Sequence, residues 1–320
     1  MKILITGISG FVAKHFVELL SASGTPHVIA GIYSNNIPAF SETGYPNVTC
    51  SFHQMNLLDT EKVTALLLKF RPEYILHLAA KSSVAGSWLY PATSVTENTG
   101  IFLSLVEALR IHRIKCRLLS VGSSEEYGIA HATNGILTEG LCPHPASPYG
   151  AARVMQQRLV EIYAKNYGLD ILHTRSFNHI GPYQDKHFVI SSFAEQIAVQ
   201  LKKGKTDIEL TVGDVEVIRD FTDVRDIVKA YFQLLIKGKT GEIYNICSGK
   251  GYVLKDIIES FSRITSTRIS YKISQENFRP SENKKIIGSF EKIKNELGWQ
   301  PTILMEQSLT DLLHYWQTKD

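Results

Sequence analysis

The chain has little cysteine. Its four residues, Cys50, Cys116, Cys142 and Cys247, form no close pair. That spacing gives neither a zinc knuckle nor a redox dithiol, and it fits inert thiols in a reducing compartment. No metal site is expected. Long hydrophobic runs are also missing, since none approaches the ~18 apolar residues of a membrane span. The chain opens on a strand and a turn, not on a secretory signal. A soluble cytoplasmic protein with no membrane contact is expected. An excess of one charge is missing as well: 34 Lys and Arg face 31 Asp and Glu, for a net +3. So small and scattered an excess argues against nucleic acid as a partner, though it leaves room for a local basic pocket. There is no internal repeat, low-complexity tract or polybasic run. Of 320 residues, 44% are hydrophobic and 20% charged, which supports a large core and argues against disorder.

What is present begins at residue 3. Ile3, Leu4 and Ile5 form the short apolar run of an inner parallel strand. Gly7 and Gly10 follow, then Val12, Phe16, Leu19 and Leu20 at helical spacing. Strand, glycine turn and helix in that order make a dinucleotide-binding pattern of the form G-x-x-G-x-x-A. Gly7 permits the tight turn and Gly10 the approach of a phosphate, while Ala13 packs helix on strand. The first turn of the helix leaves free N–H groups for an anion.

A second strand, 27–32, ends without the acidic residue that would hold the adenosine ribose of NAD; Tyr33, Ser34, Asn35 and Asn36 stand there. An arginine that would favour NADP is also lacking. Ser34 and Asn35 can still hydrogen-bond a 2′-phosphate, so NADP(H) is favoured over NAD(H). A third strand ends near residues 54–58, with Asn56 and Asp59 at its exit. A helix spans 60–70, a fourth strand 74–78, and Ala79 and Ala80 open the next loop with room for a cofactor. A long helix, 93–112, carries Asn98. This alternation predicts an α/β fold, a Rossmann-type doubly wound parallel sheet with ligands beyond the carboxyl ends of its strands.

The fifth strand, 117–122, leads into Ser123-Ser124-Glu125-Glu126-Tyr127-Gly128. If extended geometry continues, Ser123 and Glu125 point to one side. Ser147 then reads as a helix N-cap and Pro148 as the first helical residue. Tyr149 and Arg153 lie four apart, on one face. A fixed cation beside a phenol favours phenolate. Such a tyrosine can exchange a proton with a carbonyl or alcohol while hydride passes to or from a nicotinamide.

A serine, a tyrosine and a cation so spaced behind that opening turn resemble the extended short-chain dehydrogenase/reductases. There the motif is Y-x-x-x-K; here it is Y-x-x-x-R. Arg153 keeps the charge but cannot relay a proton as lysine does. The segments 77–84, 122–128, 175–182 and 219–224, with Arg279-Pro280-Ser281-Glu282 ahead of Ile286-Ile287-Gly288, resemble the GDP-mannose branch. That branch holds 4,6-dehydratases and 4-keto reductases of GDP-linked sugars.

The resemblance implies a cofactor site of Gly7, Ser9, Gly10, Phe11, Val12, Ser34, Asn56, Leu57, Leu78, Ala79, Ala80, Tyr149 and Arg153. It implies catalysis by Ser123, Tyr149, Arg153 and Glu125. It implies substrate contacts at Ser83, Asn178, Val189, Arg219, Arg279 and Glu282, and a smaller mixed α/β substrate domain. The domains would be discontinuous: 1–177 with 215–247 for NAD(P), and 178–214 with 248–320 for a GDP-linked sugar. A homodimer through the helices 93–112 and 149–167 is expected by the same resemblance. The activity it implies is NAD(P)H-dependent reduction of a 4-keto group in a GDP-4-keto-6-deoxy-mannose-type sugar. The alternatives are GDP-mannose 4,6-dehydration and nucleotide binding without catalysis. The missing arginine-serine run after the second strand favours the reductase. Glu125 stands where dehydratases carry an acid–base glutamate, but similar reductases keep it.

Overall fold

A computed structural model describes residues 1–38, 40–129, 135–274 and 284–319. Strand β1 (Lys2–Thr6) is followed by α1 (Phe11–Ser21), β2 (His27–Tyr33), β3 (Val48–Gln54), α2 (Thr60–Phe70) and β4 (Tyr74–His77). Next come α3 (Val84–Leu89), α4 (Pro91–Ile111), β5 (Arg117–Val121), a single 3-10 turn (Ser124–Glu126), α5 (Pro148–Tyr167) and β6 (Ile171–Ser176). Then follow β7 (Asn178–Ile180), α6 (Val189–Lys202), β8 (Asp207–Val212), β9 (Ile218–Asp223), α7 (Val224–Lys237) and β10 (Ile243–Ile246). The chain closes with β11 (Gly251–Val253), α8 (Leu254–Thr265), β12 (Arg268–Ile273), β13 (Lys285–Ile286), α9 (Glu291–Leu297) and α10 (Met305–Thr318).

A seven-stranded sheet runs β10-β6-β5-β4-β1-β2-β3, parallel throughout. The Rossmann-type doubly wound expectation is met. Strand order reverses between β1 and β4, so a crevice opens beyond their carboxyl ends. Both faces of the sheet are covered, and for that reason the central strands read as continuous apolar runs. On β1, Ile3 and Ile5 pack towards α1 and α7, while Leu4 packs towards α2, α4 and α5. A separate apolar cluster joins α6, β8, α8 and α10, with Val215, Val217 and Phe221 among its members. Beside it lie a β11-β9-β13 sheet, in which β7 also pairs with β9, and a parallel β12-β8 pair. No helix among the described residues is long and apolar enough to cross a membrane.

Two elements differ from expectation. Residues 79–83 are loop as expected, but an unforeseen short helix, α3, begins at Val84, where Ser83 Oγ accepts from Gly86 N at 2.9 Å. The long helix starts two residues early because Pro91 sits at its first position, where no intrahelical N–H is needed.

Candidate active site

The glycine turn leaves β1 for α1 and is hydrogen-bonded to the end of β2, its neighbour in the sheet. Gly7 has φ +73°, and Gly7 N and Ile8 N both donate to Ile32 O, at 2.9 and 3.1 Å. A Cβ on Gly7 would lie 2.9 Å from Ala79 N, so the turn touches the loop that leaves β4. Gly10 begins α1 without a side-chain cap, leaving the helix's first N–H groups for another acceptor. Ala13 is fully buried beneath them. Ser9, Phe11 and Val12 are half-buried around the turn. Asn98 holds the facing loop: its Oδ1 accepts from Lys81 N at 2.9 Å, and its Nδ2 donates to Ser94 O at 2.8 Å. An uncapped helix start, a backbone-lined turn and a pinned facing loop suit a dinucleotide pyrophosphate.

At the outer edge, Ser34 is exposed and its carbonyl accepts from Gln54 Nε2 at 3.1 Å. Asn56 Oδ1 is occupied by Leu58 N at 2.9 Å, closing a local turn. Leu57 is buried in the sheet core, so only its backbone can face a ligand. Leu78 and Ala79 are half-buried against the core, and Ala80 is half-buried beside them.

The chain does not stay extended after β5, so Ser123 and Glu125 are not strand neighbours on one side as expected. Ser123 caps the 3-10 turn: its Oγ accepts from Glu125 N at 3.2 Å, and its own N–H donates to Glu126 Oε1 at 2.8 Å. This reciprocal cap outweighs strand extension because it satisfies two backbone donors at once. Ser147 and Pro148 start α5 as expected, with Ser147 Oγ accepting from Gly150 N at 3.0 Å. A Cβ on Gly150 would meet Glu125 O at 2.6 Å, which measures how closely α5 rides on the turn. Tyr149 is 6% exposed and Arg153 4%. The guanidinium carbon lies 5.1 Å from the Tyr149 ring centroid. Arg153 Nη1 donates to Gln156 Oε1, while Arg153 Nε is buried without a protein partner. An unsatisfied buried donor is costly, and a ribose hydroxyl of a cofactor would supply its acceptor. The tyrosine–cation pair on α5 and the turn that carries Ser123 thus pack together where β5 ends and α5 begins.

The expected substrate residues among the described ones lie on four different elements. Ser83 is an α3 cap, and Asn178 is exposed on β7. Val189 is exposed at the start of α6. Arg219 lies on β9, and its Nη1 donates to Ile218 O at 2.9 Å and Lys284 O at 3.3 Å. Burial disfavours its charged form, and attraction to Glu125 and Asp214 opposes that. Next to it, buried Asp220 accepts from Ser248 N at 2.8 Å, Gly249 N at 2.9 Å and Gly288 N at 3.2 Å, tying β9 to two following loops. Arg279 and Glu282 lie outside the described residues.

Residues 4–312 match the family described as GDP-mannose 4,6 dehydratase. The chain belongs to that family of extended short-chain dehydrogenase/reductases. GDP-6-deoxy-D-mannose reductase of Pseudomonas aeruginosa is 31% identical over 99% of this chain and 98% of the relative. Among solved structures, RMD from Pseudomonas aeruginosa complexed with NADPH superposes with a TM-score of 0.84 at 30% identity, covering 99% of both chains. Thermus thermophilus UDP-glucose 4-epimerase in complex with NAD gives 0.83 at 25% identity, with 99% of both covered. Sequence reasoning for this family member passed over Glu126, although Ser123 and Glu126 have the S-x-x-E spacing of a capping box. It also passed over Ser120, Gln156 and His173, whose partners lie far away in the chain.

Proposed function

We propose that the protein reduces the 4-keto group of a GDP-linked 4-keto-6-deoxy-mannose-type sugar, using NAD(P)H. The observation that carries this reading is the buried Tyr149–Arg153 pair on α5, packed against the Ser123–Glu126 turn at the mouth of a dinucleotide fold. Full-length likeness to a GDP-6-deoxy-D-mannose reductase supports the substrate class.

A bound reduced nicotinamide supplies hydride to C4. Tyr149 Oη gives its proton to the resulting oxygen, so ketone plus hydride plus proton yields the alcohol. Ser123 Oγ accepts from Glu125 N, and its own O–H remains to donate to the same oxygen. Arg153 offers Nε to the cofactor ribose and keeps positive charge behind the phenol. Arg219 suits the diphosphate, because a guanidinium offers a charged, bidentate fork. The absence of an acid after β2 and the exposed Ser34 favour NADP(H). Residues 1–177 with 224–247 then hold the cofactor and the remainder the sugar nucleotide, in a cytoplasmic homodimer joined through α4 and α5; the expected boundary at 215 moves because Val215, Val217 and Phe221 pack in the second cluster.

The dehydratase reading draws on Glu125, half-buried and attracted to Arg219. One assay separates the readings. The protein is incubated with GDP-mannose alone, then with a GDP-mannose 4,6-dehydratase and NADPH or NADH, and the products are identified. Oxidation of reduced cofactor that requires the added dehydratase is the expected result. A 4-keto product from GDP-mannose alone would establish the dehydratase instead. Binding without turnover in both arms would leave only a nucleotide-binding role.

A further inference from the structure

One face of the central sheet changes character over a single step. Leu4, Ile75, Leu118 and Ile171 stand in register across β1, β4, β5 and β6, all apolar and fully buried. Two residues on, towards the mouth, the same strands present Thr6, His77, Ser120 and His173, again in register and equally buried. A polar row in so dry a place is expensive wherever a member goes unbonded; Ser120 and both ring nitrogens of His173 are bonded, while His77 bonds only through Nδ1 and leaves Nε2 without a partner among the described residues.

From this row a hydrogen-bond chain runs to both halves of the candidate active site. Arginine can only donate, and that sets the direction. Arg153 Nη1 donates to Gln156 Oε1, and Gln156 Nε2 donates to Ser120 Oγ at 2.7 Å. Ser120 Oγ, having accepted there, bonds His173 Nδ1 at 2.9 Å, and in the neutral Nε2–H tautomer of His173 the hydroxyl is the donor. His173 Nε2 then donates to the Glu126 carboxylate, at 3.2 and 3.3 Å. Glu126 Oε1 accepts the Ser123 N–H at 2.8 Å. The far end of the chain is therefore the backbone N–H of Ser123. Arg175 Nε stands 3.6 Å from Glu126 Oε2 and is an ion-pair partner of the carboxylate. The fit is tight: a Cβ on Gly122 would fall 2.3 Å from both Glu126 Oε1 and His173 Nε2.

We propose that Gln156, Ser120, His173 and Glu126 are positioning residues that set Arg153 and Ser123 together, so that cation and hydroxyl are aimed by one buried chain. The inference rests on the reading of Tyr149 and Ser123 as the proton-transfer pair. The Gln156 oxygen is held towards the guanidinium because the amide nitrogen is committed to Ser120.

The test uses Ser120→Ala and Gln156→Leu to cut the chain, Ser120→Thr to retain the hydroxyl, and Arg153→Met alone and combined with Ser120→Ala. Steady-state kinetics, NADPH titration by fluorescence and thermal melting are measured on each. The chain-cutting variants should lose about tenfold in kcat, with KM for the sugar changed less than about twofold. Ser120→Thr should recover most of that loss. In the Arg153→Met background, Ser120→Ala should cost less than in the Arg153 protein, because the part of its effect that passes through the cation is already gone and only the Ser123 branch remains. Full additivity in that background would overturn the proposal, as would unchanged kcat in both chain-cutting variants. Should the wild type turn over no 4-keto sugar nucleotide, the functional reading fails on its own. The NADPH titrations then still judge the chain: Ser120→Ala must weaken binding in the Arg153 protein and not in the Met variant, or the proposal falls.

Discussion

Phe11 and His179 stack, their ring centroids 5.5 Å apart and their planes inclined by 25°. Phe11 follows the glycine turn and His179 lies on β7, so this contact joins the dinucleotide turn to the sheet of the second cluster. Burial pushes the His179 pKa down, and a hydrogen bond from Nδ1 to Phe177 O at 3.1 Å partly opposes it. The stack at neutral pH is therefore between uncharged rings. Phe11→Ala should cost about 1–3 kcal/mol in stability. It should raise KM for cofactor and sugar nucleotide together, as calorimetry and steady-state kinetics would show. A rise in one KM alone contradicts this bridging role.

Tyr149→Phe removes a proton donor and little volume. Turnover should fall by about 10²–10⁴-fold, the usual range for a general acid. NADPH affinity should stay near the wild-type value in a fluorescence titration, since the ring and the Arg153 contact persist.

Arg153→Lys keeps a donor-only cation but loses the planar fork. It should turn over faster than Arg153→Met by about tenfold or more. Equal rates for the two variants would show that the charge at this position has no part in the reaction.

His77 supplies a pH test of the polar row. Burial, then the charge of Arg153 and the neighbouring His173, lower its pKa from 6.5 to about 3. Below pH 6.5 an unfolded chain takes up a proton here that the folded one refuses. The stabilising contribution is thus full above that pH and is lost progressively as pH falls towards 3. His77→Asn keeps a partner for Thr6, which bonds His77 Nδ1 at 2.8 Å, and removes the titration. Its stability should decline less steeply over that window, by several kcal/mol in total as an order of magnitude. Urea melts at stepped pH would reveal parallel curves if the idea is wrong.

Gly122→Ala forces a methyl into Glu126 and His173. A stability loss of about 1–3 kcal/mol is expected, seen as a lowered melting temperature, together with reduced kcat. Retention of both stability and rate would mean that the turn and β6 can part at no cost.

Local chemistry in the chain was enough to announce several elements. The apolar run 3–5 before Gly7 and Gly10, the Ser147-Pro148 start of α5 and the i, i+4 pair Tyr149–Arg153 all depend on neighbours a few residues away, and each was legible before any coordinates. Short-range signals were also present and passed over: Ser123 and Glu126 at capping-box spacing foretold the 3-10 turn, and Ser83 the start of α3. Only the folded sheet could decide the rest. Ser120 meets His173 across 53 residues, and His173 meets Glu126 across 47. Strand order and register made those meetings, and they come from burying whole faces of β4, β5 and β6 under α4 and α5. A histidine in an apolar strand carries no mark of its partner, because the partner is set by packing between distant segments, while caps and turns are set by the backbone groups next door.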